Sequence, residues 1–268
     1  MKGRVLIVAG SDSGGGAGIQ ADIKAITMLD AFAATAITAL TAQNTEGVHA
    51  VLPIDPAFIR HQMEVVLDDI GADAIKTGML HDGAVIETVA AVLAERAPDV
   101  PLVLDPVMVA KGGAPLIQPE AIELLKSRLA LHAAVLTPNL PEAEILCGRE
   151  IADVETMRAA ATMLLSLGCE SVLLKGGHLG GDTIHDILAT PAGLIEWTSR
   201  RIETTHTHGT GCTLASAIAA GLAQGMTVIA AVERARDYVQ RAIASAPGFG
   251  RGHGPLDHAH PLSAPDQA

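Results

Sequence analysis

Several short runs of this chain are apolar at consecutive positions and then stop at glycine or a polar residue. They include "VLIVAG" from Val5, "AIKTGM" from Ala74, "LVLDPV" from Leu102, "AVLTPN" from Ala134 and "VLLKGG" from Val172. A strand with one wet face alternates apolar and polar residues, whereas a strand covered on both faces does not. Between these runs lie segments of helical spacing, such as Ile19, Ile23, Ile26 and Leu29. In "DPAFIRHQMEVVLDDI", Asp55 is placed as an N-cap and Pro56 at the first helical position. Strand and helix alternate along the chain, which predicts an α/β fold with a mostly parallel central sheet and helices on both faces.

Other segments complete that reading. "ATAITALTAQN" is a further strand. "DTIHDILAT" and "GLIEWTSRR" flank "PAG" and read as a small hairpin at the sheet edge. Two long helices begin near Gly211 and Val228. Residues 1–261 are expected to form one domain, with 262–268 as a frayed tail. Aromatic residues make up only 2% against 49% hydrophobic, so the core must be aliphatic and alanine-filled. That shortage of stacking platforms, with a net charge of −12, argues against a nucleic-acid partner. No apolar stretch has the length of a membrane span. The three cysteines are widely spaced, with no disulfide framework or CxxC pair. The expectation is a soluble cytoplasmic protein.

In open parallel sheets, ligands bind beyond the carboxyl ends of the strands. Here those ends carry Gly10-Ser11-Asp12, Gln43-Asn44, Lys76-Thr77-Gly78, Asp105, Thr137-Pro138-Asn139 and Lys175-Gly176-Gly177. Turn chemistry accounts for the Gly and Pro residues. The repeated Asp, Asn, Gln and Lys point to one shared cleft.

Four motifs bear on what that cleft binds. "THGTGC" sets Gly209, Thr210 and Gly211 before an alanine-rich helix. Unpaired amides and the helix dipole there suit an anion; the alternative is a tight turn with a packed cysteine, Cys212. It is not the GxxxxGK[ST] phosphate loop. "GSDSGGGAGIQAD" lacks G-x-G-x-x-G in register, and reads as a close-approach loop for a small substrate, with Gly10, Asp12 and Asp22 nearby; Asp22 alone is also an ordinary helix acid. In "TPNLPEAE", Asn139 and Glu142 share one side of a helix start and offer oxygen ligands for Mg²⁺, with Asp105 able to join through water; a helix-capping pair is the plainer account. Lys175 in "LLKGGH" can neutralise a phosphate or sit in solvent. The histidines near the end of the chain do not complete a zinc set.

Taken together, "AGSDSGGGAGIQAD", "ITALTAQNTEGV", "KTGML", "LDPVMVAKGG", "LTPNLPEAE", "LLKGGH", "THGTGCTLASAIAAGLAQG" and "RGHGP" resemble the hydroxymethylpyrimidine/phosphomethylpyrimidine kinases of thiamine biosynthesis, within the ribokinase-like superfamily. The resemblance runs from about Val5 to His260. It implies a three-layer ribokinase-like fold, a homodimer, and two successive ATP-dependent phosphorylations of 4-amino-5-hydroxymethyl-2-methylpyrimidine with Mg²⁺. It assigns Gln43 to the pyrimidine edge and Met79 to the face of the ring. Asn139 and Glu142 match the superfamily's N-x-x-E magnesium motif, and Lys175 with Gly176 the nucleotide side. Gly209, Thr210 and Gly211 match the anion hole, and Cys212 stands where many relatives carry a catalytic aspartate.

The chain departs from the family pattern at Gly14, Thr77, Gly112 and His206, and Thr77 offers a new polar contact. A loop from Ala110 to Leu116 is a candidate to close over the site. Cys212 is placed to take the substrate hydroxyl's proton, with a pKa expected to be lowered by the helix N-terminus. A pyridoxal kinase and a non-catalytic pyrimidine-binding protein are the alternatives.

Overall fold

The computed structural model describes residues 1–108 and 117–263. The loop from Ala110 to Leu116, including Gly112, and the tail from residue 264 lie outside the described residues.

The apolar runs form the spine of one sheet. Its strands are β1 (Arg4–Asp12), β2 (Phe32–Asn44), β3 (Gly47–Pro53), β4 (Ala74–Thr77), β5 (Leu102–Leu104), β6 (Ala133–Leu136), β7 (Val172–Lys175), β8 (Thr183–Thr190) and β9 (Gly193–Arg200). They lie in the order β3-β2-β1-β4-β5-β6-β7-β8-β9. The strands from β2 to β7 in that order are parallel. β3 runs antiparallel at one edge, and the β8–β9 hairpin continues β7 antiparallel at the other. The hairpin around "PAG" stands where the sequence put it. β3 is an edge strand the sequence reading omitted.

The helices are α1 (Gly18–Met28), α2 (Pro56–Asp69), α3 (Gly83–Arg96), α4 (Pro119–Leu124), α5 (Leu140–Cys147), α6 (Val154–Leu164), α7 (Thr210–Ala223) and α8 (Val228–Ala244), with a short α9 (His260–Ser263). They cover both faces, as the continuous apolar strands require. Successive residues of β1 serve opposite layers: Leu6 and Val8 belong to the core cluster that takes in Ile59, Val85 and Met157 of α2, α3 and α6, whereas Val5 and Ile7 belong to the one that takes in Ile26, Ile218 and Val232 of α1, α7 and α8. The second layer is rich in alanine, with Ala215, Ala217, Ala219 and Ala220 of α7 fully buried. Small side chains let α7 lie close against the sheet and bring its first turn over the strand ends.

The local signals hold in detail. Asp55 caps α2 through the Ala57 amide, with Pro56 opening the helix. No described helix is long and apolar enough to cross a membrane.

Candidate active site

A cleft of about 710 Å³ opens beyond the carboxyl ends of the parallel strands, the place such sheets offer for a ligand. Gly10, Asp12, Gln43, Lys76, Met79, Asp105, Asn139, Glu142 and Lys175 line it, together with Gly209, Thr210, Gly211 and Cys212.

The roof is the start of α7. No side chain caps this helix, so its first-turn amides face the cleft as uncapped donors. Gly209, in front of it, has φ +80°. A Cβ there would strike the Gly16 carbonyl of the loop after β1, so only glycine permits the two loops to touch. The Thr210 hydroxyl donates to the Thr207 carbonyl at 2.8 Å and its amide reaches the same oxygen at 3.4 Å, so the amides of Gly211 and Cys212 are the ones that face an anion.

Asp12 and Asp22 have been given different work from that expected of them. Asp12 ties the glycine loop together. Its carboxylate accepts from the Gly14, Gly16 and Ala17 amides at 2.7, 3.1 and 2.8 Å and from His208 Nε2 at 2.9 Å. Burial pushes its pKa up, but the His208 contact and the amides outweigh this and hold it below the usual carboxylate value. Asp22 is fully sealed and does not line the cleft. Its two oxygens lie 2.9 Å from Lys76 Nζ, and Ser216 donates to it at 2.7 Å. A carboxylate on the inward face of α1 is costly without such partners. The substrate-binding role expected for Asp22 is therefore corrected to an internal one.

Gly176 is likewise behind the wall. Its amide donates to Asp186 Oδ1 at 3.2 Å, and a Cβ would meet the His185 carbonyl. It shapes the junction between β7 and β8, while its neighbour Gly177 faces the cleft.

Lys175 does face the cleft. Its Nζ lies 3.1 Å from Asp105 Oδ1 and 3.2 Å from where a Cβ of Gly211 would stand, so the ammonium sits beside the uncapped helix start. Asn139 and Glu142 form both arrangements the sequence left open. Asn139 Oδ1 accepts from the Glu142 amide, and Glu142 Oε2 from the Asn139 amide, in a capping box; yet both residues line the cleft next to Asp105. Burial raises the Glu142 pKa to about 7 despite Lys175, and Asp105 adds to the rise. Among the described residues no group of three or more His, Cys, Asp or Glu gathers around a point.

Met79 reaches across Gly10, its Cε 2.7 Å from where a Cβ of Gly10 would be. Cys212 lies in the first turn of α7, and the first amide of α1, at Gly18, points at its sulfur. The thiol pKa is nevertheless not lowered. Burial raises it to about 11, against Lys76 and the Gly18 amide and helped by Asp22 and Asp105. Desolvation of a thiolate here outweighs the two helix starts. Thr77 makes no new cleft contact: its hydroxyl is buried without a hydrogen-bond partner among the described residues. His208 was given no part in the site, and Lys76 was placed at a strand end on the cleft without a role. Both depend on partners far away in sequence.

An open α/β sheet, a phosphate-sized nest of amides with a lysine beside it, and acidic groups at the next strand end define a small-molecule kinase of ribokinase-like architecture. The pattern of the phosphomethylpyrimidine kinase family matches residues 12–257. The chain belongs to that family. It is 52% identical over 258 residues to the thiamine biosynthesis bifunctional protein of Geobacter sulfurreducens; the match takes in 96% of this chain but only 52% of that longer protein. It is 45% identical to the hydroxymethylpyrimidine/phosphomethylpyrimidine kinase of Bacillus subtilis, covering 95% of this chain and 94% of the relative. A Bacillus subtilis pyridoxal kinase solved with ADP superposes with a TM-score of 0.90 at 37% identity, over 96% of this chain and 98% of that one.

Proposed function

We propose that the chain, with residues 1–261 as one kinase domain, transfers the γ-phosphoryl group of ATP to the hydroxymethyl group of 4-amino-5-hydroxymethyl-2-methylpyrimidine, and then phosphorylates the monophosphate to the diphosphate. The observation that carries this reading is that Gln43 and Met79 share one cleft with Cys212, Lys175 and the uncapped start of α7. An amide beside a thioether suits a flat ring with donor and acceptor edges. The amide nest and the lysine suit a transferring phosphoryl group. The bifunctional relative is named for thiamine biosynthesis and the Bacillus subtilis relative for both phosphorylations.

Phosphoryl transfer demands alignment and charge neutralisation more than covalent help from the protein. In the first reaction the pyrimidine hydroxyl attacks the γ-phosphorus, and the bond to the ADP oxygen breaks. The amides of Gly211 and Cys212 and the ammonium of Lys175 face the charge on the equatorial oxygens. Cys212 takes the hydroxyl proton as the thiolate, the minor form of a thiol with a pKa of about 11. In the second reaction the attacking oxygen belongs to a phosphate that is already anionic and needs no base. An aspartate at position 212 would repel that phosphate, whereas a neutral thiol does not. One site thereby serves both substrates.

The acidic corner fits a magnesium ion. Glu142 is a buried carboxylate held near pKa 7, and a divalent cation restores its anionic form. Glu142 and Asp105 would hold the ion directly or through water, with Asn139 beside them and nucleotide oxygens supplying further ligands. Bound there, it supplies charge neutralisation for the phosphates.

The same reading makes the chain a homodimer. It is supported by exposed apolar side chains: Leu40 and its β3 partner Leu52, 40% and 62% exposed, and Phe58 of α2, 58% exposed.

The deciding experiment supplies ATP, Mg²⁺ and the pyrimidine, and resolves products by mass. Monophosphate followed by diphosphate supports the reading. A second arm supplies pyridoxal, because a pyridoxal kinase shares the fold so closely. Turnover of pyridoxal with no pyrimidine diphosphate would overturn the assignment.

A further inference from the structure

His208 links two parts of the cleft that are remote in sequence. It directly precedes Gly209, and its side chain is only 13% exposed. Its Nε2 lies 2.9 Å from Asp12 Oδ2 and 3.2 Å from Gln43 Nε2. One ring nitrogen cannot donate to the first and accept from the second. Asp12, an ionised carboxylate that accepts three loop amides, can only accept, so the proton belongs on Nε2. Gln43 Nε2 then faces a donor.

Turning the amide by half a turn resolves the conflict, and the positions of its oxygen and nitrogen are interchangeable in shape. Gln43 Oε1 then accepts from His208. The neighbouring hydroxyl agrees. Thr41 Oγ1 lies 2.9 Å from the Ser11 carbonyl and 3.1 Å from the Gln43 amide atom on its other side. It has one proton, which the carbonyl must receive, so the amide atom facing it should be the donating NH₂. Each link of the Asp12–His208–Gln43–Thr41–Ser11 chain then has one donor and one acceptor, and the second N–H of Gln43 is left for a ligand.

We propose that His208 is the positioning residue that holds the Gln43 amide in this one orientation and thereby makes the cleft select an aminopyrimidine over an oxopyrimidine. An aminopyrimidine edge presents a ring-nitrogen acceptor beside an amino donor. Its 4-oxo analogue presents the reverse, a ring N–H beside a carbonyl. A freely turning amide serves both edges, and a fixed one serves one. The inference rests on the reading of Gln43 as the pyrimidine contact.

The test compares kcat/KM for the 4-amino substrate and its 4-oxo analogue in the wild type, His208→Leu, His208→Gln and Gln43→Leu. In His208→Leu the amino-over-oxo ratio is expected to fall by about tenfold or more, through KM for the pyrimidine, with KM for ATP unchanged. Glutamine brings a donor to the place of Nε2, so His208→Gln should keep the ratio. Equal losses on both substrates in His208→Leu overturn the proposal and leave His208 a packing residue. A ratio lost in Gln43→Leu but kept in His208→Leu overturns the proposal alone. A ratio kept in Gln43→Leu overturns it together with the reading beneath it. Nitrogen-15 spectra of histidine-labelled wild type give an answer free of folding defects: a proton on His208 Nε2 supports the proposal, and a bare Nε2 with the proton on Nδ1 overturns it.

Discussion

Lys76 Nζ stands 2.9 Å from both carboxylate oxygens of Asp22, and neither side chain is exposed to solvent. The pair lies beneath Cys212, whose thiolate form Lys76 favours and Asp22 disfavours. Lys76 keeps its proton: burial opposes this, and Asp22 with Cys212 and Asp105 outweighs it. Lys76→Met is expected to cost about 3–5 kcal/mol in chemical denaturation, because it strands a buried carboxylate. Adding Asp22→Leu should recover most of the loss. A Lys76→Met protein as stable as the wild type would show that the pair contributes no net charge balance.

Acid should loosen the same end of α7. His258 is buried and contacts Thr213 Oγ1 at 2.9 Å. Burial, aided by Lys24 and opposed by Asp257, lowers its pKa from 6.5 to about 4. The unfolded chain therefore binds this proton more readily than the folded one. The stability His258 contributes is complete above the unfolded value and is lost as pH falls from about 6.5 towards 4, by an amount on the order of a few kcal/mol. His258→Gln should flatten that part of the Tm-against-pH curve; an unchanged slope would assign it to other groups.

The Cys212 thiol, with its pKa of about 11, predicts different pH behaviour for the two phosphorylations. The first should rise steadily from pH 7 to 9 as thiolate accumulates, and the second should stay nearly level. Cys212→Ala should slow the first by about 100-fold and remove its slope, with a smaller effect on the second. Cys212→Asp should keep the first and lose the second. Parallel losses in both variants would count against a base role and against charge repulsion.

Thr77 is a stability prediction without a catalytic one. Its hydroxyl is buried and unpaired among the described residues, so Thr77→Val should stabilise the protein by about 1 kcal/mol with kinetics unchanged. A loss of stability would reveal a partner for the hydroxyl.

What could be read in the sequence follows from how local each signal is. Strands buried on both faces announce themselves as apolar runs, and the ends of β1, β4, β5, β6 and β7 marked the cleft. β3 gave no such signal, because it lies at the edge and most of its residues are exposed, so neither alternation nor an apolar run develops. Asp22 had the look of a surface acid, since its partner Lys76 lies 54 residues on. His208 was set aside with the late histidines that complete no zinc set, and its partner Asp12 is 196 residues away. The pKa of Cys212 turned on how deeply α7 is packed, which spacing does not express.

The contact between Gly209 and the Gly16 carbonyl joins segments that are made far apart in time during synthesis. The loop that approaches the substrate is made near the beginning of the chain, and the phosphate nest near its last quarter. A chain still missing α7 lacks the roof of the cleft and the core residues Leu214, Ala215, Ala217 and Ile218 that cover one face of the sheet. A product cut short before α7 is therefore expected to be inert rather than a kinase of relaxed control, since Cys212 and the amide nest are missing together.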